Sequence, residues 1–298
     1  MTSAVFAVEA IIISQKKPQM KLEAVDYTAD NAEQLFVESL RNTGFGVLKN
    51  HPIQQELVNS IYENWYTFFN NENKTDFTFN VETQDGLFPT DVSETAKGHA
   101  KKDIKEFFHY YPWGQCPEAL RAEIQNYYEQ ANALAAELLS WVEKHAPDTV
   151  SSTFSQPLSS MIEDSEQTLL RILHYPPLQG DEELGAIRAG AHEDINLLTV
   201  LPAANEPGLQ VLSKEGDWLD VPCDFGNLII NIGDMLQEAS DGYFPSTTHR
   251  VVNPEGSDKT KSRISLPLFL HPKPEVVLSE RHTAGSYLTE RLKELGVI

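Results

Sequence analysis

The sequence is poor in cysteine, in basic residues and in long apolar runs. It has two cysteines among 298 residues, Cys116 and Cys223, and they form neither a CxxC pair nor a zinc-ribbon spacing. This excludes a disulfide framework and favours a reducing compartment, so we expect a cytoplasmic protein. The apolar stretch Ala10–Ile13 is far shorter than the roughly 18 residues of a membrane-spanning helix, so no membrane association is expected.

Acidic residues outnumber basic ones by 44 to 23, which gives a formal net charge of −21. A surface of this charge repels phosphate backbones, so the composition argues against nucleic-acid binding. Glycine-rich phosphate loops are also missing: Gly44-Phe-Gly46 lacks a third glycine, and no G-x-S-x-G sequence is present. With 41% hydrophobic residues, the chain can still bury a sizeable core.

The chain changes character near residue 167. Residues 1–19 are expected to be an N-terminal extension, and residues 20–166 a helical region that packs on the core. Apolar residues spaced by three or four positions predict helices over Asn31–Thr43, over Gln55–Phe69 and from Pro117 to just before Pro147. The polar, irregular segment 70–102 predicts a surface loop.

Residues 167–278 have the pattern of short strands instead. Turn signals such as Pro176-Pro177 and Asp241-Gly242 separate eight segments with strand character. These segments are Thr168–Tyr175, Ala186–His192, Asn196–Leu201, Leu209–Ser213, Trp218–Val221, Asn227–Ile232, Thr247–Val252 and Arg263–Leu270. Eight close strands predict a sandwich or barrel, of which the jelly roll is one form. Residues 279–298 contain a predicted C-terminal helix, so the expected fold is mostly β with helical additions.

Two histidines and one carboxylate form a candidate metal site. His192 and Asp194 are two residues apart on a predicted strand, so their side chains point to one face while Glu193 points away. His249 lies on a later predicted strand. Two imidazoles with one carboxylate, leaving coordination positions open, are typical of non-haem Fe(II) oxygenases, although the same ligand types also suit Zn(II). For each residue alone, hydrogen bonding in the core is the alternative.

Arg263 and Ser265 form a second candidate site. They too are two residues apart on a predicted strand, and an arginine fork beside a hydroxyl suits the carboxylate of a small bound molecule. An ordinary surface arginine is the alternative for so short a pattern.

Six segments in order give the chain a resemblance to a known family. They are His192-Glu-Asp194 with the run to Leu201, Gly208-Leu-Gln-Val211, Trp218-Leu-Asp-Val-Pro222, Asn231-Ile-Gly-Asp-Met235, Thr248-His249-Arg-Val-Val-Asn-Pro254 and Arg263-Ile-Ser265-Leu-Pro267. Together they resemble the isopenicillin N synthase-like family of Fe(II)- and 2-oxoglutarate-dependent dioxygenases. The resemblance is dense from about residue 168 to 278 and looser near Thr43–Gly46.

The resemblance implies a double-stranded β-helix, or jelly roll, with N-terminal helices packed on it. It assigns Fe(II) to His192, Asp194 and His249. It assigns the distal carboxylate of 2-oxoglutarate to Arg263 and Ser265, with Tyr175 assisting.

The substrate side of the site is less defined. Phe269 matches a substrate-lining aromatic position, and Arg171, four residues before Tyr175 on the same strand face, is a candidate for binding an acidic substrate. Leu173 departs from the family, which often has an asparagine there that contacts the cosubstrate. His174, on the opposite face, is expected to be structural, and Asn231 and Asp234 are expected to be turn residues.

The implied activity is oxidation of a small organic substrate by O2, with 2-oxoglutarate converted to succinate and CO2. One alternative is an oxidase that does not use 2-oxoglutarate, as isopenicillin N synthase itself does not. In that case the R-x-S pair binds the substrate's own carboxylate. An alternative of another class is a non-catalytic jelly roll that binds a metal or ligand.

Overall fold

The computed structural model describes residues 22–90, 105–178, 188–203, 208–222, 224–253 and 261–294. The predicted extension, residues 1–19, lies outside these ranges. Within them, no helix combines the length and the apolar character that crossing a membrane requires.

Seven α-helices and one 3-10 helix are present in the described residues. The α-helices are α1 Ala32–Thr43, α2 Gln55–Phe69, α3 Glu118–His145, α4 Asp148–Ser151, α5 Leu158–Met161, α6 Asp234–Ala239 and α7 Ala284–Glu294, and the 3-10 helix is Glu72–Phe77. The predicted helix Gln55–Phe69 is confirmed at both ends. In α3 the buried positions recur every three or four residues, as the sequence pattern requires.

The described strands form two sheets. They are β1 Ala24–Asp26, β2 Phe45–Lys49, β3 Gly86–Phe88, β4 Glu106–Tyr110, β5 Leu169–Tyr175, β6 Ala189–His192, β7 Leu198–Pro202, β8 Leu209–Leu212, β9 Trp218–Asp220, β10 Leu228–Ile232, β11 His249–Val251, β12 Arg263–Ser265 and β13 Leu268–Leu270. The larger sheet has the order β1-β2-β10-β7-β13-β5-β4-β3, with β12 also paired to β5, and the smaller sheet has the order β6-β11-β8-β9. Among the described strands, every pair except β1–β2 is antiparallel.

The main core lies between the helices and the outer face of the larger sheet. Trp65 of α2, Leu138 of α3, Ile172 of β5 and Ile230 of β10 are fully buried there. The N-terminal part of the chain therefore supplies the helical layer. It also supplies strands β1 to β4 of the larger sheet, which the helical pattern alone does not indicate.

The inner face of the larger sheet is apolar at one end and polar at the other. Val47, Ile229 and Leu201 are paired across three strands and pack against the smaller sheet. Asn231 and Thr199, each two residues away from this row, are also paired, so they share its inner face. Buried polar groups such as these need hydrogen-bond partners, so this end of the inner face holds a polar cluster.

Two predictions of secondary structure are corrected. Segment 70–102 contains a 3-10 helix and strand β3, in which Leu87 and Phe88 are buried, so its described part is not simply a surface loop. The single predicted strand over Arg263–Leu270 is two strands, because Pro267 between them has no N–H to donate to the ladder.

Gly44 ends α1 in a left-handed conformation, with φ of 75°. A Cβ atom at this position would lie 2.3 Å from Thr247 Oγ1 and 2.7 Å from Pro245 O. Glycine is therefore required both by the backbone angle and by the close approach of the segment that leads into His249.

Candidate metal centre and cosubstrate site

The structure brings His192, Asp194 and His249 together at the polar end of the inner face. His192 and His249 are paired residues on the neighbouring strands β6 and β11. Nε2 of each histidine lies 3.8 Å from Asp194 Oδ1, and one ligand atom from each residue lies within 4.8 Å of the others. The His192 side chain is 41% exposed, whereas those of Asp194 and His249 are below 10% exposed, so His192 stands at the open side.

Asp194 lies beyond the end of β6, so alternation along a strand does not place it. Asp234 N donates a hydrogen bond of 2.7 Å to Asp194 O, which fixes its backbone against the start of α6. Thr199 Oγ1 and Asn231 Nδ2 donate to Asp194 Oδ2 at 2.5 and 2.8 Å. These two bonds leave Oδ1 to face the histidines.

Each histidine is oriented by a backbone carbonyl. Nδ1 of His192 lies 2.7 Å from Gly190 O, and Nδ1 of His249 lies 3.1 Å from Thr247 O. Because a carbonyl oxygen only accepts, Nδ1 donates in both rings, and a neutral ring then keeps its lone pair on Nε2. Nε2 of both rings and Asp194 Oδ1 therefore each offer a lone pair within 4.8 Å of one another.

Glu193 points away from this cluster, as predicted. Its Oε1 accepts a hydrogen bond from Thr248 Oγ1. Glu193 and Thr248 each adjoin a clustered histidine, so this bond ties together the two segments that carry the cluster.

Arg263, Ser265 and Tyr175 are also brought together. Arg263 is paired with Tyr175 across β12 and β5, and Ser265 is paired with Leu173. All four are buried, and the Arg263 guanidinium carbon lies 5.9 Å from the centre of the Tyr175 ring. Nε and Nη1 of Arg263 have no hydrogen-bond partner among the described residues. A buried guanidinium with unsatisfied donors fits an acceptor that arrives with a ligand.

Two family models match the chain. The model described as 2OG-Fe(II) oxygenase superfamily covers residues 166–272, and that described as non-haem dioxygenase in morphine synthesis N-terminal covers residues 18–131. The crystal structure of a Shewanella oneidensis protein, named only as an oxygenase, is 68% identical, with a TM-score of 0.87 over 94% of this chain and 100% of that one. The chain belongs to the 2OG-Fe(II) oxygenase superfamily.

The names of more distant relatives state an activity or a bound ligand. Gibberellin 2-beta-dioxygenase 2 of Arabidopsis thaliana is 32% identical over 159 residues, and the match covers 53% of this chain but 45% of the relative's length. A structure of JOX2 in complex with 2OG, Fe and JA is 25% identical, with a TM-score of 0.68 over 86% of this chain and 76% of that one. The predicted Fe(II)- and 2-oxoglutarate-dependent dioxygenase and its jelly-roll core are thereby confirmed.

The donor atoms of this 2OG-Fe(II) oxygenase fit its two cofactors. Two imidazole nitrogens and one carboxylate oxygen are the set that non-haem Fe(II) takes in this arrangement. Burial raises the pKa of Asp194, but the hydrogen bonds from Thr199 and Asn231, and either histidine whenever its ring is protonated, lower it more, so it lies below its ordinary value. The carboxylate is therefore ionised and able to ligate a cation, and the unsatisfied Arg263 nitrogens fit a dicarboxylic cosubstrate.

Asn231 is a functional residue that the sequence analysis assigned wrongly. It lies inside β10, not in a turn, and donates to the carboxylate of Asp194. Asp234, the first residue of α6, forms an ion pair of 3.3 Å with Arg291 instead. A signal for Asn231 did exist, because a polar residue in a run of Leu-Ile-Ile-Asn-Ile must find a buried partner.

We expect Asn231→Leu to weaken Fe(II) binding by about 10- to 100-fold, the range for residues that orient metal ligands. The substitution leaves Oδ2 of Asp194 with Thr199 as its described donor. Anaerobic Fe(II) titration measures the effect. Asn64→Leu is the matched control, because Asn64 Nδ2 also donates to a carboxylate, that of Glu123, at 2.9 Å, but between α2 and α3. Equal affinities of the two variants would contradict the role of Asn231.

Leu173 belongs to an apolar cluster on the inner face. It is buried with Phe88, Phe107 and Tyr175, and the rings of Phe88 and Phe107 stack 4.8 Å apart. A leucine side chain cannot donate a hydrogen bond to the cosubstrate. The contact that an asparagine makes there in relatives is therefore replaced by packing.

Arg171 and Phe269 meet on the same inner face. The Arg171 guanidinium carbon lies 5.4 Å from the Phe269 ring centre and 4.6 Å from that of Phe107, so the cation lies against both rings. Its Nε donates to His109 Nε2 at 2.9 Å, while His109 Nδ1 lies 2.9 Å from Gln84 O.

His271 follows strand β13. Its Nδ1 is buried without a hydrogen-bond partner among the described residues. Burial lowers the pKa of its imidazole to about 4.

Proposed function

We propose that this enzyme oxidises a small anionic organic substrate at an Fe(II) ion held by His192, Asp194 and His249. Arg263 and Ser265, with Tyr175 beside them, bind the distal carboxylate of 2-oxoglutarate. One observation carries this proposal: a His-Asp-His donor set and an arginine with unsatisfied buried donors lie on the inner face of one jelly roll. When bound, the iron and cosubstrate supply the oxidation, with succinate and CO2 released as O2 is consumed.

The protein's own residues position the reactants. Asn231 and Thr199 hold Asp194 with Oδ1 toward the metal, and carbonyl groups hold the two imidazoles with Nε2 toward it. The cluster of Phe88, Phe107 and Leu173 excludes water from the wall beside the cosubstrate. Fixed donors in a dry site interact more strongly with charge than they would in water.

The proposed substrate class follows from Arg171. Its guanidinium lies against the rings of Phe107 and Phe269. Arg171 lies on β5, the strand that also carries Tyr175 of the proposed cosubstrate site. The chain as a whole is strongly acidic, but charges are screened over about 8 Å at physiological ionic strength. The charge of Arg171 therefore outweighs the net charge of the chain inside the pocket. A substrate with a carboxylate attached to an apolar or aromatic group would fit Arg171 and the two rings.

Anaerobic titration of the Fe(II) protein with 2-oxoglutarate tests the proposed function. We expect a visible charge-transfer band, which forms where the iron and the 2-oxo acid meet at one centre. Oxygen should then yield one succinate per 2-oxoglutarate consumed. Substrate oxidation without succinate would support the oxidase alternative, and absence of both the band and turnover would support a binding protein.

In Arg171→Met, we expect the stimulation of 2-oxoglutarate turnover by small carboxylic acids to fall about tenfold or more. This is the effect expected from the loss of one charge-assisted hydrogen bond to the substrate. Methionine preserves packing against the two rings. The measurement is succinate release with a panel of carboxylic acids and their methyl esters. Uncoupled turnover without substrate should persist.

Arg41→Met is the matched control, because the Arg41 guanidinium also lies over an aromatic ring, Tyr243, at 4.9 Å. Stimulation by the methyl esters equal to that by the acids would contradict an anionic substrate.

A further inference from the structure

A polar network lies on the outer face of the larger sheet, opposite to the face of β5 and β12 that carries Tyr175 and Arg263. Lys74 Nζ, in the 3-10 helix, donates to Glu106 Oε2 at 2.8 Å. Glu106 Oε1 lies 2.8 Å from His174 Nδ1, and His174 Nε2 lies 2.6 Å from Ser262 Oγ. The bonds therefore run without a break from the helical layer, across β4 and β5, to the residue that precedes β12.

The network is buried and ionised. The side chains of Glu106 and His174 are 10% and 5% exposed. Burial raises the pKa of Glu106, but His174 and Lys74 lower it more, so it lies below its ordinary value. Because an ionised carboxylate only accepts, Nδ1 of His174 must donate to it. Nε2 lies against the Ser262 hydroxyl, which also donates to Tyr175 O at 3.3 Å.

The same residues fix the register of the strands. His174 is paired with Glu106 of β4 and with Ile264 of β12. The residues on either side of Ile264, Arg263 and Ser265, point to the inner face. A slip of one residue between β5 and β12 would turn both away from the cosubstrate.

The residue before strand β12 contacts β5 at two points: Ser262 Oγ lies 2.6 Å from His174 Nε2 and 3.3 Å from Tyr175 O. Strand β12 itself is short. It has three residues, and among the described strands it pairs with β5. Nε and Nη1 of Arg263 have no described hydrogen-bond partner, so they do not anchor the strand. On the other side, the His174 ring is held by stacking on Phe69 of α2, with centres 5.0 Å apart. The bond from His174 to Ser262 thus attaches the start of β12 to a rigid support.

We propose that Lys74, Glu106, His174 and Ser262 form a positioning network that sets the affinity for the distal carboxylate of 2-oxoglutarate through the placement of β12. This inference rests on the proposed function, in which Arg263 binds that carboxylate. None of the four residues contacts the cosubstrate in this assignment, and their effect is exerted through the strand.

The test compares Ser262→Ala with Ser262→Thr in the full-length Fe(II) protein. Removal of the hydroxyl should weaken 2-oxoglutarate binding about tenfold, the upper end of the range for one lost hydrogen bond, and threonine should restore it. Pyruvate has the same 2-oxo acid end but no distal carboxylate, so its affinity should not change. Both affinities are measured anaerobically from the charge-transfer band, and Fe(II) affinity is measured separately.

His174→Phe extends the test. Phenylalanine preserves stacking on Phe69 but removes both ring nitrogens, so we expect a larger loss of 2-oxoglutarate affinity than with Ser262→Ala. Glu33→Gln is the matched control, because Glu33 accepts from Lys144 at 2.6 Å and contacts His145 at 3.0 Å, a similar trio between α1 and α3. If His174→Phe does not fold, the two Ser262 variants still decide the question.

The outcomes separate this inference from the proposed function. Unchanged 2-oxoglutarate affinity in Ser262→Ala, together with a loss in Arg263→Lys, would overturn the positioning network alone. Unchanged affinity in Arg263→Lys would overturn the assigned cosubstrate site itself. Equal weakening of pyruvate and 2-oxoglutarate in Ser262→Ala would also overturn the network, because the effect would then not concern the distal carboxylate.

Discussion

Alanine in place of Asp194 is expected to reduce Fe(II) affinity more than about 100-fold, beyond the range for residues that merely orient a ligand. The substitution removes the anionic donor and leaves two imidazoles, while Thr199 and Asn231 lose their shared acceptor. His249→Ala and His192→Ala should act in the same direction. Anaerobic Fe(II) titration, with circular dichroism to verify the fold, measures the effect.

His145→Ala is the matched control for the histidine variants, because His145 also lies 3.0 Å from a carboxylate, that of Glu33, but on the helical surface. It should bind Fe(II) like the parent protein. Full iron occupancy together with full turnover in any of the three variants would show that the residue is not a ligand.

Arg263→Lys is expected to raise the 2-oxoglutarate requirement by about 10- to 100-fold, with little change in Fe(II) affinity. Arginine can pair with both oxygens of a carboxylate through its planar fork, whereas lysine offers a compact point charge. The loss of one charge-assisted hydrogen bond, about 1.5–3 kcal/mol, corresponds to this range. Cosubstrate and Fe(II) titrations on the same variant measure the two effects separately.

Arg41→Lys, at the end of α1, is the control for this substitution and should leave both affinities unchanged. An unchanged 2-oxoglutarate requirement in Arg263→Lys would show that this arginine does not bind the cosubstrate.

Arg263 and Ser265 follow a local rule, since they are two residues apart on β12 and share one face. His192 and Asp194 are also two residues apart, but strand alternation does not explain Asp194, which lies beyond the end of β6. The resemblance is what joins these two residues to His249. The structure brings each group together as expected. The assigned binding roles remain predictions that the variants above test.

Other parts of the site cannot be predicted from a local sequence pattern. Asn231 reaches Asp194 from another strand, 37 residues away. Glu106 and His174 are 68 residues apart, and Ser262 is a further 88 residues along the chain. Such contacts depend on strand order and register, which one sequence does not specify. Phe88 was missed for a related reason: strand β3 is only three residues long and lies in a polar segment.

The two hydrogen bonds to Asp194 Oδ2 limit how many coordination positions the aspartate can occupy on a metal ion. An oxygen already engaged by Thr199 and Asn231 is not available to chelate, so Asp194 is restricted to monodentate ligation through Oδ1. A metal ion held by Nε2 of His192, Nε2 of His249 and Oδ1 of Asp194 would keep coordination positions for both a chelating cosubstrate and O2. A bidentate aspartate would occupy one of these positions.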